Sequence, residues 1–340
     1  MKSERILAAG TAAAVILALG TLNAPQAAAQ TIEMKVGYAT INDPIDVFGK
    51  KLVEEMAKRT DGKIAGRTFP ASQLGGIQRQ IEALQLGTEE VFIGPPGFMV
   101  GLNPAFSATD APAIFDDFDH ARRALLHPDF RDKFANLAAD KGVLCTSLWV
   151  YGPTWIASSS PIRTLDDIRG KKFRVLASKM ESDLMAALGA TGVPMDFTEL
   201  MTALQNKTLD GVRTSIVVLG GVKAYTVAKY ITYDGTGFIP TCAITSKIWL
   251  DKLPADLRKI YLDTGREMDE WGSQMAFDFE QKGQKIWTDN GGEILKFSDA
   301  DQKKKAELLK PLGDANLDSN PRVKDTYDLL KQVVAKTRKS

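Results

Sequence analysis

The sequence predicts an α/β protein built as two lobes of like topology, each a mostly parallel sheet flanked by helices, with long strands crossing between them. Three observations carry this reading. The chain has 340 residues, beyond the roughly 250–300 at which single hydrophobic cores stop growing. A strand–helix–strand–helix–strand order occurs twice, over 33–94 and again over 171–214, the alternation that builds parallel sheets. The two passages also share a phrase: ALQLGTEEVFIG at 83–94 lies over ALQNKTLDGVRT at 203–214. Ala-Leu-Gln and Thr fall at equal spacing, and the strand-opening apolar residue is Val91 in one copy and Val212 one place later in the other. So short a match also arises by chance, so the repeated order of elements carries more weight.

Residues 1–29 have the grammar of a secretory leader. Lys2 and Arg5 form a positive start, Ile6 to Gly20 is apolar or small, and Ala27-Ala28-Ala29 supplies an A-x-A cleavage site. Cleavage there starts the exported chain at Gln30. The apolar run is shorter than the about 20 residues that span a bilayer; an uncleaved anchor is the alternative. Charges balance, with 43 Lys+Arg against 42 Asp+Glu, and the leader accounts for the difference. No basic stripe suits a nucleic acid.

The elements follow in order. EMKVGYA (33–39) is a strand, and Phe48, Leu52 and Met56 at i, i+4, i+8 predict a helix over 45–59. KIAGRTF (63–69) is a second strand. Ile77, Ile81 and Leu84 mark a helix ended by Gly87, and VFIG (91–94) is a third strand. The plan returns with KKFRVL (171–176), a helix over Leu184, Met185 and Leu188, VPMDF (193–197), a helix over 199–206, and LDGVRTS (209–215). GVLCTSLWVYGPTWIAS (142–158) and YITYDGTGFIPTCAITS (230–246) are the crossing strands. Their Gly-Pro and Gly-x-Gly interruptions suit hinges, or simply loops within ordinary strands. Beyond 250 the chain is helical and amphipathic, with a last helix over 321–338 and a lysine run, 303–305, read as a solvated face.

Enzyme chemistry has little to stand on. His120, placed at the start of a surface helix, and His127 are the two histidines, and no G-x-S-x-G elbow, Walker loop or dinucleotide fingerprint occurs. Asp116-Asp117 and Asp166-Asp167 sit at helix entrances, where acids favour the dipole. With only His120 and His127 and no cysteine cluster, a zinc site is not expected. Cys145 and Cys242 are either a disulfide, which an oxidising compartment permits, or two buried small hydrophobes. No cofactor is expected.

One residue stands out against this background. Arg174 is the lone cation in the apolar part, FRVL, of the buried-looking strand KKFRVL (171–176), and the small Ala177 and Ser178 follow before a helix begins. Ligands of open α/β sheets sit beyond the carboxyl ends of strands, a guanidinium matches a carboxylate as a planar fork, and the helix start adds N–H donors. The alternative is a structural Arg–acid pair.

Several stretches together resemble the solute-binding subunits of tripartite ATP-independent periplasmic (TRAP) transporters: ASQLGGIQRQIEALQLGTEE, DAPAIFDDFDHARR, SSPIRTLDDIRGKKFRVLAS, LGATGVPMDFTELMTALQNKTLDG and SKIWLDKLPADLRKIY, in family order over roughly 33–265. The resemblance implies a two-lobed, type II-like periplasmic-binding-protein fold, with hinge strands and a long helix joining the lobes. Lobe I is then 30–149 with about 241–280, lobe II 150–240 with about 281–315, and 316–340 a helix packed on both. It implies a periplasmic protein that closes on a small organic acid and presents it to an ion-gradient-driven membrane permease; a receptor that senses the acid for a signalling partner is the alternative. Arg174 falls on the arginine that pairs with the substrate carboxylate, and Phe197 on an aromatic of the pocket wall.

Two departures bear on the ligand. Thr154 stands where many members carry a second arginine, and Arg213 and Thr214 stand where many carry glutamate and asparagine. With Tyr151, Trp155 and Phe238 near in sequence, the pocket reads as suited to one carboxylate on an apolar or aromatic body. Core positions for Trp155 and Phe238 are the alternative, as is a dicarboxylate ligand should Arg213 turn inward.

Overall fold

The computed structural model describes residues 31–318 and 320–339; the leader expected at 1–29 lies outside them. Nine strands form one sheet: β1 (Ile32–Gly37), β2 (Ile64–Phe69), β3 (Val91–Gly94), β4 (Val143–Ser158), β5 (Lys172–Val175), β6 (Thr191–Pro194), β7 (Gly211–Thr214), β8 (Tyr230–Ser246) and β9 (Glu293–Lys296). Their order is β2-β1-β3-β8-β4-β7-β5-β6, with β9 on β8.

The repeat in the sequence is a repeat in the sheet. In one half β1 lies parallel between β2 and β3, and β3 runs antiparallel to the end of β8. In the other, β5 lies parallel between β6 and β7, and β7 runs antiparallel to the end of β4. The ALQ phrases are the helices entering β3 and β7. Because β4 and β8 pair from Val143↔Ser246 to Ser158↔Tyr230, the two expected sheets are fused into one.

Register breaks in β4 fall between Cys145 and Ser147, Val150 and Gly152, and Pro153 and Trp155. Gly235 has φ +66°, the left-handed region that glycine enters at no steric cost. Cys145 and Cys242 lie on neighbouring crossing strands and form a disulfide, with Cα atoms 5.5 Å apart. The bridge and not the buried-thiol alternative is what the register of β4 and β8 brings about.

The long helix Ala255–Asp289 packs along β4, and its Tyr261 hydroxyl meets Thr245 of β8. Small residues permit the approach: a Cβ on Gly265 would stand 2.7 Å from the Thr146 carbonyl oxygen. Asp269 fastens it, accepting from Ser147 Oγ at 2.7 Å, Leu148 N at 2.8 Å and Arg131 Nε at 2.6 Å. Elsewhere the helix ends are conventional. Asp43 caps Pro44–Arg59, and Gly87, φ +71°, ends Ile77–Leu86.

Two expectations are corrected. The lysine run is not wholly a solvated face: Lys303 and Lys304 are exposed, but Lys305 is fully buried, over the Phe297 ring and bonded to the Asp234 carbonyl. His120 is not on a surface. The helix Phe118–Leu125 buries it, with Nε2 2.9 Å from the Val334 carbonyl of the C-terminal helix Pro321–Thr337. A 3.6-residue period reports which helix face is buried only when its neighbour is known, and both neighbours here come from distant sequence.

Candidate functional site

Parallel strands β5 and β7 end side by side, so the side chains at their carboxyl ends share one wall. Arg174 and Thr214 stand there, lining a cavity with Tyr151 of β4 and Phe197. The facing wall comes from the first half of the sheet: Thr40, Ile45, Ile77, Phe92 and Phe98. Leu176, Val218 and Ile239 complete a lining that is apolar except for Arg174, Tyr151 and two threonines.

Arg174 is 1% exposed. Its Nε donates to the Met195 carbonyl at 3.1 Å, and the Phe197 ring centre lies 5.8 Å from the guanidinium carbon. Among the described residues it makes no ion pair. Burial pulls its pKa from 12.5 down to about 10, against the fields of Glu181 and Asp196. A buried cation with no counter-ion is costly, and a ligand carboxylate is the complement it lacks. The helix that follows, Lys179–Ala187, has its N-terminus capped by Ser178 and carries Glu181 in its first turn, so that end already holds its own acid.

Tyr151 is committed elsewhere, donating to Asp43 Oδ2 at 2.7 Å. Burial pushes the Asp43 carboxyl up to about 6, and burial with Asp43 nearby raises the Tyr151 hydroxyl well above its usual value.

Arg213 is one residue from Thr214 and faces the other way, as alternate strand residues do. It lines a separate small pocket with Thr154, Phe238, Asp110 and Glu181. It is already paired: Nη1 reaches Glu181 at 2.5 Å and Nη2 reaches Asp234 at 2.8 Å. Lys305 closes the group on Asp234 Oδ1 at 3.3 Å. Thr154 Oγ1 donates to Asp234 at 2.7 Å. Burial alone would raise Asp234, but Arg213 and Lys305 hold it well below the carboxylate range; burial alone would lower Arg213, but Glu181 and Asp234 hold it above its own. Two cations meet two acids, so this arginine has no spare charge to offer. Asp110 at the same pocket is pushed up to about 7 by burial and then by Glu181. Trp155 lines neither space. Its Nε1 donates to Glu280 Oε1 at 2.9 Å, and its ring meets Tyr233 edge-on. Burial raises Glu280 to about 7.

The structure thus brings Arg174, Phe197, Thr214 and Tyr151 to one cavity, and Thr154, Arg213 and Phe238 to another. Sequence reasoning missed the facing wall, since Ile45, Phe92 and Phe98 read as ordinary core. It also missed Asp234 and Lys305, because nothing local marks a charge whose partners are 21 and 71 residues away. Among the described residues there is no group of three or more His, Cys, Asp or Glu placed to hold a metal. Among them, too, no helix is long and apolar enough to cross a membrane.

Residues 37–319 match the family model described as bacterial extracellular solute-binding protein, family 7. The chain is 27% identical to the 2,3-diketo-L-gulonate-binding periplasmic protein YiaO of Escherichia coli over 88% of its own length and 90% of that protein's. Two solved structures superpose with a TM-score of 0.86 at 26% identity. One is the sugar acid binding protein of Advenella mimigardefordensis in complex with galactonate, covering 91% of this chain and 99% of that one. The other is a TRAP periplasmic solute binding protein of Desulfovibrio salexigens with bound orotic acid, covering 91% and 100%. A matched family model over most of the chain, two superposable structures and a cavity with an unpaired arginine lead to one placement: the chain belongs to family 7 of the bacterial extracellular solute-binding proteins, those of TRAP transporters.

Proposed function

We propose that this protein is exported to the periplasm, its leader cut near Ala29, and captures a small organic acid by its carboxylate for delivery to a TRAP permease driven by an ion gradient. It acts by capture and release, without chemical conversion. The observation that carries this is Arg174: buried, charged, unpaired and facing a cavity. Phe197 stacks on the guanidinium, Thr214 adds a hydroxyl that orients the acid, and Tyr151, its own hydroxyl held by Asp43, lines the wall with its ring. The rest of the wall is apolar, which favours one carboxylate on an apolar or aromatic body. Arg213, with Thr154 and Phe238 beside it, supports the site from the next pocket, and Trp155 from the Glu280 contact, without touching the ligand. The two halves of the sheet are lobes bounded near 149–150 and 240–241, and the breaks in β4 and the glycines of β8 are where they turn.

The test is a thermal-shift screen of refolded, ligand-stripped protein against benzoate, pyruvate, succinate, D-galactonate and neutral sugars. A ligand at 100 times its dissociation constant stabilises by about 2.7 kcal/mol. A shift with monocarboxylates supports the reading. A shift with succinate alone replaces the ligand class by a dicarboxylate, and shifts with neutral sugars alone overturn the role of Arg174.

A further inference from the structure

Three consecutive residues after β6 act at once. The Met195 carbonyl holds Arg174 Nε, and the Phe197 ring covers the same guanidinium. Between them stands Asp196, whose carboxylate makes no ion pair with Arg174. Its Oδ2 accepts from Ile77 N at 3.0 Å. Ile77 is the first residue of the helix Ile77–Leu86, whose own cap position, Gly76, has no side chain to serve it. The other carboxylate oxygen of Asp196 is fixed by Thr198 N at 3.0 Å and Thr198 Oγ1 at 2.9 Å.

The place of this bond in the topology gives it meaning. β6 ends the sheet on one side and β2, which leads into Ile77–Leu86, ends it on the other. Ile77 and Phe197 both line the cavity, so the bond joins its two walls. An acid at a helix N-terminus is favoured by both its hydrogen bond and the dipole. Gly76 makes room for it: a Cβ there would stand 3.2 Å from Asp196 Oδ2.

We propose that Asp196 is the clasp of the cleft, a positioning residue that caps the helix of the opposite wall only when the cavity is shut. Because it shares a loop with the two groups that hold Arg174, a carboxylate on Arg174 and a closed clasp stabilise one another. That coupling rests on the reading of Arg174 as the carboxylate site; the clasp itself does not.

The experiment uses the full exported chain and its Asp196→Ala, Asp196→Asn and Gly76→Ala variants. Hydrogen exchange is followed at the Ile77 amide, with and without the screened acids, beside stopped-flow dissociation of whichever acid binds. Asp196→Ala is expected to speed Ile77 exchange and ligand dissociation by about 2- to 30-fold, the range for losing a helix cap. Asp196→Asn, which keeps the acceptor, restores most of the difference, and Gly76→Ala behaves like Asp196→Ala. The unfolding midpoint of ligand-free protein stays at the wild-type value throughout. Equal Ile77 exchange in wild type and Asp196→Ala, with and without acids, overturns the proposal. So does a fall in the ligand-free midpoint that matches the change in exchange, since the bond is then part of the resting fold. If no acid binds, the capture reading fails, while slower Ile77 exchange in wild type than in Asp196→Ala still supports the clasp.

Discussion

Replacing Arg174 by methionine should make the ligand-free protein more stable, by about 1–2 kcal/mol. Burial lowers the arginine from 12.5 to about 10. At 1.36 kcal/mol per pH unit, keeping it charged costs roughly 3 kcal/mol. The bond from Nε to the Met195 carbonyl returns about 1 kcal/mol, and the Phe197 ring about 0.5–1 kcal/mol. Methionine keeps the apolar stem and removes the charge. The sign of the pH dependence is fixed as well. A base with a lowered folded pKa carries its full penalty at every pH below about 10, so the gain should be constant from pH 5 to 9. Urea unfolding of refolded protein at pH 5, 7 and 9 measures it. A loss above about 1 kcal/mol would show that Arg174 is an ordinary structural pair, and a gain that changes across that range would break the electrostatic reasoning.

Arg213→Met should do the opposite. It leaves Glu181 and Asp234 buried with Lys305 alone, at a cost of about 3–5 kcal/mol in the same unfolding experiment. Glu89 is 2% exposed, and burial followed by the charge of Glu90 raises it from 4.5 to about 8. Its raised folded pKa means that stability falls as pH rises from about 4.5 to 8. Glu89→Gln should therefore match wild type at pH 4 and below, exceed it by about 2–4 kcal/mol at pH 8, and flatten the profile between. Removing the disulfide as Cys145→Ala with Cys242→Ala should cost about 2–5 kcal/mol in chemical unfolding, close to the effect of reductant on the wild type.

The repeated element plan was legible because each unit is marked by local pattern: Phe48, Leu52 and Met56 for one helix, Gly87 as a stop, long β-rich stretches for β4 and β8. Their fusion into a single sheet was not, since pairing between 143 and 246 leaves no local mark. Of the site, Arg174 could be found because a lone cation in the apolar part of a strand conflicts with its surroundings. The Arg213–Asp234–Lys305 group could not, as each charge looks solvated until the others are brought beside it. Asp196 was equally silent: its partner is a backbone N–H 119 residues away.

The account turns on whether Arg174 holds a carboxylate. The direct measurement is calorimetric titration of the acid found in the screen into wild type and Arg174→Met, both stripped of ligand. Losing a buried pair to the ligand should weaken binding by about 2–5 kcal/mol, roughly 30- to several-thousand-fold, in a variant that unfolds no more easily than wild type. An unchanged dissociation constant would contradict the account.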